Sequence, residues 1–330
     1  MTQNVDFVFY THATAQTGFG HAARCARLAK IITRMMPYCR IGFFGEFEER
    51  AKLTLSSIFE PIYLEQPTGR IGIYDRMDSY EDPLFYCEKK LKCLIEQCER
   101  VVFMANSPDL PRIPANVTVI GYKIGGKVPN KKNIFWGNEY VPVNVATINC
   151  ADDAYEQGKM LVALGGAQDM SNTELVIRAL NSIDHIQNID ILISPVNVID
   201  RRKILSISHK PIHFMFNVPS ISKIILAVDV ILASYGHLGY EAMCLGKPVC
   251  LVGQKQFQYD YAERLANNGY CISAGLLNTI KPAQLAKTIE ETFEQKMSLA
   301  TNVKKSFDGF GLERTAQVIT DCHKQLGVKM

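Results

Sequence analysis

Along the chain, short runs of apolar residues alternate with longer stretches in which apolar residues recur every three or four positions. A strand buried on both faces reads as a continuous apolar run, whereas an amphipathic helix shows one apolar stripe. The alternation therefore predicts an α/β protein with parallel sheets covered by helices. In the first half it predicts strands over Val5–Thr11, Arg40–Gly45, Ile62–Glu65, Ile71–Asp75, Val101–Ala105 and Val117–Tyr122. Helices are expected over His21–Met35 and Leu84–Gln97, the first with Ala22, Cys25, Ala26, Ala29 and Ile32 on one small-residue face. Between Lys123 and Asn144 the pattern dissolves into Gly, Pro, Lys and Asn, and then a second series begins. Its strands are predicted over Met160–Leu164, Ile189–Ile193, Ile212–Phe216, Val228–Ala233, Pro248–Val252 and Tyr270–Ile272. Its helices are predicted over Asn172–Ile183, Leu238–Leu245, Gln258–Asn267 and Ala283–Glu294, followed by a last helix over Leu312–Leu326.

Two series of the same kind in 330 residues suit two Rossmann-like domains, residues 1–150 and 151–330, with the junction in the polar stretch Asn149–Glu156. The hydrophobic fraction of 47% and charged fraction of 21% are those of a globular protein. A net charge of +3, from 36 basic and 33 acidic residues, gives no electrostatic footprint for nucleic acid. Ten cysteines include no CxxC pair, which argues against a metal site. The opening Met-Thr-Gln-Asn-Val-Asp has neither the basic nor the apolar region of a secretory signal, so the cysteines read as reduced thiols of a cytoplasmic protein. No apolar run approaches the roughly 20 residues that span a bilayer, which leaves association with a membrane surface open.

Chemistry concentrates where strands meet helices. After the first strand comes Thr17-Gly18-Phe19-Gly20-His21-Ala22-Ala23-Arg24-Cys25. Gly18 and Gly20 would let the backbone approach an anionic group at the opening of a helix, where amides are unsatisfied. Ala23 stands where a dinucleotide fingerprint has its third glycine. His21 would sit at the helix opening as a general base or a hydrogen-bonding group, and a glycine turn with a structural histidine is the plainer alternative. Asp75 and Asp78 close another predicted strand, where they read either as cleft residues or as partners of a helix cap and of Arg76. In the second half, Gly165 and Gly166 join a strand to a helix that Asn172 would cap, and Ser234-Tyr235-Gly236-His237-Leu238-Gly239-Tyr240-Glu241 joins another. Gly246-Lys247-Pro248 and Gln258 follow, while Gln254 and Gln256 read as loop residues.

The GxGHxxRC segment resembles the N-terminal signature of the UDP-sugar hydrolases of pseudaminic-acid biosynthesis. The sequence departs from that pattern at Tyr10-Thr11-His12, where the hydrolases carry Arg-x-Asp. Tyr74-Asp75-Arg76-Met77-Asp78, with Glu88 and the run Val101–Ser107, is similar to a pattern of sugar transferases. The run from Ser234 to Val249, followed by Gln258, resembles the nucleotide-sugar half of peptidoglycan N-acetylglucosaminyltransferases. The resemblance implies the GT-B fold, two Rossmann-like domains facing a cleft, with the last helix crossing back onto the first domain. It implies that Glu241 accepts hydrogen bonds from ribose hydroxyls. It also implies that the amides from Gly236 through His237 and Leu238 to Gly239 hold a diphosphate, and that Gln258 meets the sugar.

The expected activity is transfer of a sugar from a nucleotide sugar, UDP-linked by resemblance, to an acceptor that the sequence does not identify. No cofactor and no metal are expected, His21 is the candidate base, and Asp75 or Asp78 is the reserve. Hydrolysis of a nucleotide sugar by a water activated at His21 and non-catalytic nucleotide-sugar binding are the alternatives.

Overall fold

The computed structural model describes residues 5–76, 88–105, 113–122, 131–143, 155–165, 170–194, 199–216, 218 and 220–327. They divide into two compact units, Met1–Pro142 with Phe310–Met330, and Val143–Gly309.

The first unit is built on β1 (Val5–Tyr10), β2 (Ile41–Phe44), β3 (Ile62–Tyr63), β4 (Gly69–Tyr74), β5 (Cys98–Ala105), β6 (Val117–Gly121) and β7 (Ile134–Trp136). They form one seven-stranded sheet in the order β3-β2-β1-β4-β5-β6-β7. Every pairing in it is parallel. Phe7, Val8, Phe9, Ile71, Ile73, Val101 and Val102 have no exposed surface, as strands covered on both faces require. Between β1 and β2 runs helix α1 (Gly20–Met35), which buries the expected small-residue face together with Leu28 and Arg24. Helix α2 (Glu49–Ile58) follows β2, and α3 (Glu88–Gln97) precedes β5.

The second unit is a six-stranded sheet in the order β10-β9-β8-β11-β12-β13. Its strands are β8 (Lys159–Ala163), β9 (Asn188–Leu192), β10 (Ile212–Met215), β11 (Val230–Ser234), β12 (Val249–Gly253) and β13 (Ile272–Leu276). They too pair in parallel throughout. The connections run through α4 (Met170–Asn181), α5 (Arg201–Ile207), α6 (Ile221–Ala227), α7 (His237–Cys244) and α8 (Gln256–Asn267). Helices α9 (Pro282–Glu294) and α10 (Lys296–Ser306) follow β13. One core joins Val162, Leu180, Ile191, Leu232, Val252 and Ile289.

The last helix, α11 (Gly311–Lys324), groups with the first unit and packs on α1. Gly311 lets the start of this helix lie close against the backbone at Val141, because a Cβ there would lie 1.9 Å from the Val141 carbonyl oxygen. Its buried face is Leu312, Thr315, Ala316, Ile319 and Cys322. Val318 and Leu326 are half-buried. The helix end is tied down by Arg70 Nη2 donating to the Gly327 carbonyl at 2.6 Å and Arg100 Nη1 donating to Gln325 Oε1 at 2.6 Å.

Several elements differ from expectation. Helices α2, α5, α6 and α10 and strand β7 carry no clear sequence signal. Each of the four helices buries only one or two side chains, such as Ala51 and Leu55 in α2 or Ile204 alone in α5, so no apolar stripe accumulates. Strand β7 is three residues long and half-buried at the sheet edge. Strand β13 begins at Ile272, where the expected strand ends, and pairs with β12 across a register shift between Leu251 and Gly253. Asn172 lies inside α4 rather than at its cap, and residues 84–87 of the predicted Leu84–Gln97 helix lie outside the described residues.

Candidate functional site

In an open parallel sheet, ligands bind beyond the carboxyl ends of the strands, at the point where strand order reverses. In the first unit this point lies between β1 and β4, because the chain winds outward from β1 to β2 and β3, then resumes at β4 on the other side. The Asp75 amide donates to the Tyr10 carbonyl at 3.0 Å, so Asp75 continues β4 into this position.

The loop from β1 to α1 is stitched by its threonines. Thr14 N donates to Thr17 Oγ1 at 3.1 Å and Thr17 N to Thr14 Oγ1 at 3.2 Å. Gly18 closes the turn at φ 76°, a backbone state that favours glycine. Gly20 has a different role: a Cβ there would meet nothing within 4 Å, so the start of α1 borders open space. Phe19, the residue before α1, caps it with no side-chain hydrogen bond. One residue into the helix, His21 Nδ1 lies 2.7 Å from Asp75 Oδ1. The His21 side chain is 16% exposed and that of Asp75 is 1% exposed.

Asp75 is gripped from the other side by Arg24, three residues after His21 on α1. Arg24 Nε donates to Asp75 Oδ2 at 2.6 Å, and Nη2 donates to Asp75 Oδ1. Arg24 Nη1 donates to the Tyr122 hydroxyl at 3.0 Å, just past the end of β6. Burial by itself would raise the Asp75 carboxyl. The Arg24 guanidinium, and then His21, outweigh it and hold the carboxyl well below the usual carboxylate range. Burial pushes the Cys25 thiol up, so it remains S–H and donates to Asp75 Oδ2 at 3.5 Å.

An ionised carboxylate can only accept, so the proton between Asp75 and His21 sits on Nδ1. The 3.1 Å approach of Arg24 Nη2 to Nδ1 is then a contact between two donors. This tautomer leaves Nε2 as the basic nitrogen of His21, the arrangement a general base requires. Asp75, expected as a reserve base, is fully buried and occupied by His21, Arg24 and Cys25. Asp78 and Ser107 lie outside the described residues, as does the side chain of Glu88. His12 accepts from the Glu46 amide through Nδ1 at 2.9 Å, which ties the end of β1 to the loop after β2. Arg24 could have been singled out from its helical spacing to His21. Tyr122 could not, since only the sheet, with β5 between β4 and β6, brings the end of β6 within reach of Arg24.

In the second unit the strand order reverses between β8 and β11. Gly165, just past β8, adopts φ 79° and has nothing within 4 Å of a Cβ position. Gly166 lies outside the described residues. Helix α7 starts at His237 after Gly236, with no side-chain cap, and a Cβ on Gly236 would approach only the Ser234 carbonyl, at 3.8 Å. The half-buried His237 and Leu238 thus open a helix behind a glycine that brings no side chain of its own, a setting that suits an anion. Gly239 serves packing instead: a Cβ there would lie 2.9 Å from Leu251 Cδ2, so the glycine lets α7 settle on β12. Glu241 is 4% exposed, and its Oε1 accepts from Ser222 Oγ at 2.9 Å.

The side chain of Gln258 is engaged within the protein. Its Oε1 accepts from the Gln254 and Lys255 amides at 2.8 and 3.1 Å, and its Nε2 donates to the Tyr235 carbonyl at 3.2 Å. It caps α8 and ties that helix to the end of β11. Ser234 is buried, and its hydroxyl donates to the Leu164 carbonyl at 2.7 Å. Gln254, read as a loop residue, reaches across the strand ends, with Nε2 donating to the Leu164 carbonyl and to Ser234 Oγ.

No family model and no curated protein matches the chain. Solved structures do. MurG of Acinetobacter baumannii superposes with a TM-score of 0.56 at 15% identity, over 96% of this chain and 99% of that one. The glycosyltransferase VinC, solved in complex with dTDP, gives 0.58 at 10% identity over 96% and 100%. A Listeria monocytogenes structure described as a UDP-N-acetylglucosamine 2-epimerase gives 0.61 at 12% identity, over 95% of each chain. The chain has the GT-B fold. That fold is typical of enzymes that use nucleotide sugars, and its relatives here include both transferases and the epimerase. Among the described residues no cluster of three or more His, Cys, Asp or Glu could hold a metal ion, and no helix is long and apolar enough to cross a membrane.

Proposed function

We propose that this GT-B chain is a glycosyltransferase that moves a sugar from a nucleotide sugar, UDP-linked on the sequence resemblance, to a hydroxyl acceptor. The observation that carries the reading is the 2.7 Å contact of His21 Nδ1 with a buried, ionised Asp75. In this reading the acceptor hydroxyl attacks the anomeric carbon and gives its proton to His21 Nε2, while the nucleoside diphosphate departs. Amides at the start of α7 stabilise the charge of the leaving diphosphate, and Gly165 gives it room beside β8. Glu241 accepts from the ribose hydroxyls.

The test uses UDP-, dTDP-, GDP- and CMP-sugars, with binding read by thermal shift and nucleoside diphosphate release read as turnover. A ligand at 100 times its Kd raises stability by about 2.7 kcal/mol, a visible shift. His21→Asn should keep donor binding and lose about 10²- to 10⁴-fold in turnover, since an amide cannot take the proton. A folded variant within threefold of the parent would overturn the base assignment. Stoichiometric free sugar without an acceptor would favour hydrolysis by a water held at the same nitrogen.

A further inference from the structure

The His21–Asp75 pair is unusual in what stands behind it. A carboxylate that orients a histidine needs only one of its oxygens, yet here both are held by a buried guanidinium that is itself anchored to Tyr122. Arg24 is 3% exposed, Tyr122 4%, and Asp75 not at all. All three are buried.

The environment of Asp75 explains what Arg24 does. An isolated carboxylate moved into a fully buried site takes up a proton rather than keep its charge. Arg24 is always protonated and supplies the compensating charge through a bidentate grip. Charge compensation decides more than the state of Asp75. An ionised Asp75 can only accept, so His21 must offer Nδ1–H and keep Nε2 basic. A neutral Asp75 carries an O–H at the same place and would donate it to Nδ1. The His21 proton would then reside on Nε2, and no basic nitrogen would remain for a substrate. The two states differ by one proton on Asp75 and by the tautomer of His21, with hardly any movement of heavy atoms.

We propose that Arg24 is the positioning residue that makes His21 a base: by pairing with both oxygens of Asp75 it fixes the Nδ1–H tautomer and leaves Nε2 to take the substrate proton. Tyr122 supports it by holding Nη1, which orients the guanidinium from the end of β6. The functional meaning rests on the glycosyl-transfer reading above, but the tautomer does not, and it can be measured with no substrate present.

The experiment is ¹⁵N NMR of histidine-labelled protein at neutral pH, with the His21 signals assigned by their loss in His21→Gln. In the parent the neutral ring should show a protonated Nδ1 and an unprotonated Nε2. An Nε2–H ring in the parent would overturn the proposal outright. Arg24→Gln keeps hydrogen-bond donors but no charge and should convert His21 to the Nε2–H form. Arg24→Lys keeps the charge without the fork and should retain the Nδ1–H form. Retention of Nδ1–H in Arg24→Gln, or its loss in Arg24→Lys, would refute the charge argument. Should Arg24→Gln fail to fold, Arg24→Met and Tyr122→Phe provide the second comparison: the first should convert the ring, and the second should leave it as in the parent. With a nucleotide sugar that the parent turns over, Arg24→Gln should lower kcat by at least 10²-fold while leaving donor Kd within about threefold. A merely structural Arg24 would lower the melting temperature with the tautomer unchanged, and that result also defeats the proposal.

Discussion

Replacing Asp75 by Asn tests whether a charge pair, rather than shape, holds the first unit at its strand ends. Asn has nearly the same volume, so packing of the side chain is conserved. What changes is the account of charge and donors. Arg24 stays buried with no opposite charge, and one of the two positions that accepted from Arg24 or His21 becomes an NH₂ facing another donor. Breaking a buried pair by removing one partner typically costs about 3–5 kcal/mol, because the remaining charge is uncompensated. For a chain region of 150–250 residues each kcal/mol lowers Tm by about 2–4 °C, so the expected fall is about 6–20 °C. The assay is thermal or urea denaturation of Asp75→Asn beside the double variant Asp75→Leu/Arg24→Met. Replacing both members of a buried pair by apolar residues is often neutral or stabilising, so the double variant should recover most of the loss. A single variant within about 2 °C of the parent, or a double variant no better than the single, would show that the pair contributes little and that the reasoning from burial is wrong.

Other outcomes follow from the same geometry. Asp75 is depressed in the folded state, so its contribution is fully present above the unfolded carboxylate value of about 3.9 and is lost as pH falls toward the folded value. Melting temperature should therefore fall with acidification below about pH 4 in the parent, and Asp75→Leu/Arg24→Met should show a shallower fall; equal slopes would contradict the assignment. Glu241→Gln keeps the side-chain volume and an acceptor for Ser222 but loses the charge, and should weaken UDP binding by roughly 10- to 150-fold. Titration calorimetry reads this directly, and an unchanged Kd in a folded variant removes Glu241 from the ribose. Gly311→Ala forces a methyl against the Val141 carbonyl and should cost about 1–3 kcal/mol in urea denaturation, whereas an unchanged midpoint would show that α11 can shift freely.

The sequence by itself determined the repetitive part of this protein. Strands buried on both faces must be continuous apolar runs, and helices that cover them must repeat every three or four residues, so β1, β4, β5, β8, β11 and α1 are written in local pattern. Glycine at the strand-to-helix turns was legible for the same reason, since Gly18 and Gly165 meet backbone states that other residues enter at a cost. Tertiary structure decided which polar side chains meet. His21 and Asp75 are separated by the whole of α1, β2, α2 and β3, and nothing local requires that they touch; they do because parallel winding sets β4 beside β1. The same holds for Tyr122, brought to Arg24 by the sheet, and for Gln254, whose amide spans the ends of β8 and β11 while Gln258 is spent on capping α8. The short helices α5 and α6 were hidden for a related reason: each buries so few side chains that its stability comes from the sheet beneath it rather than from its own sequence. Periodicity reports how one element meets its neighbours on average, whereas a site depends on single side chains whose partners lie on other strands.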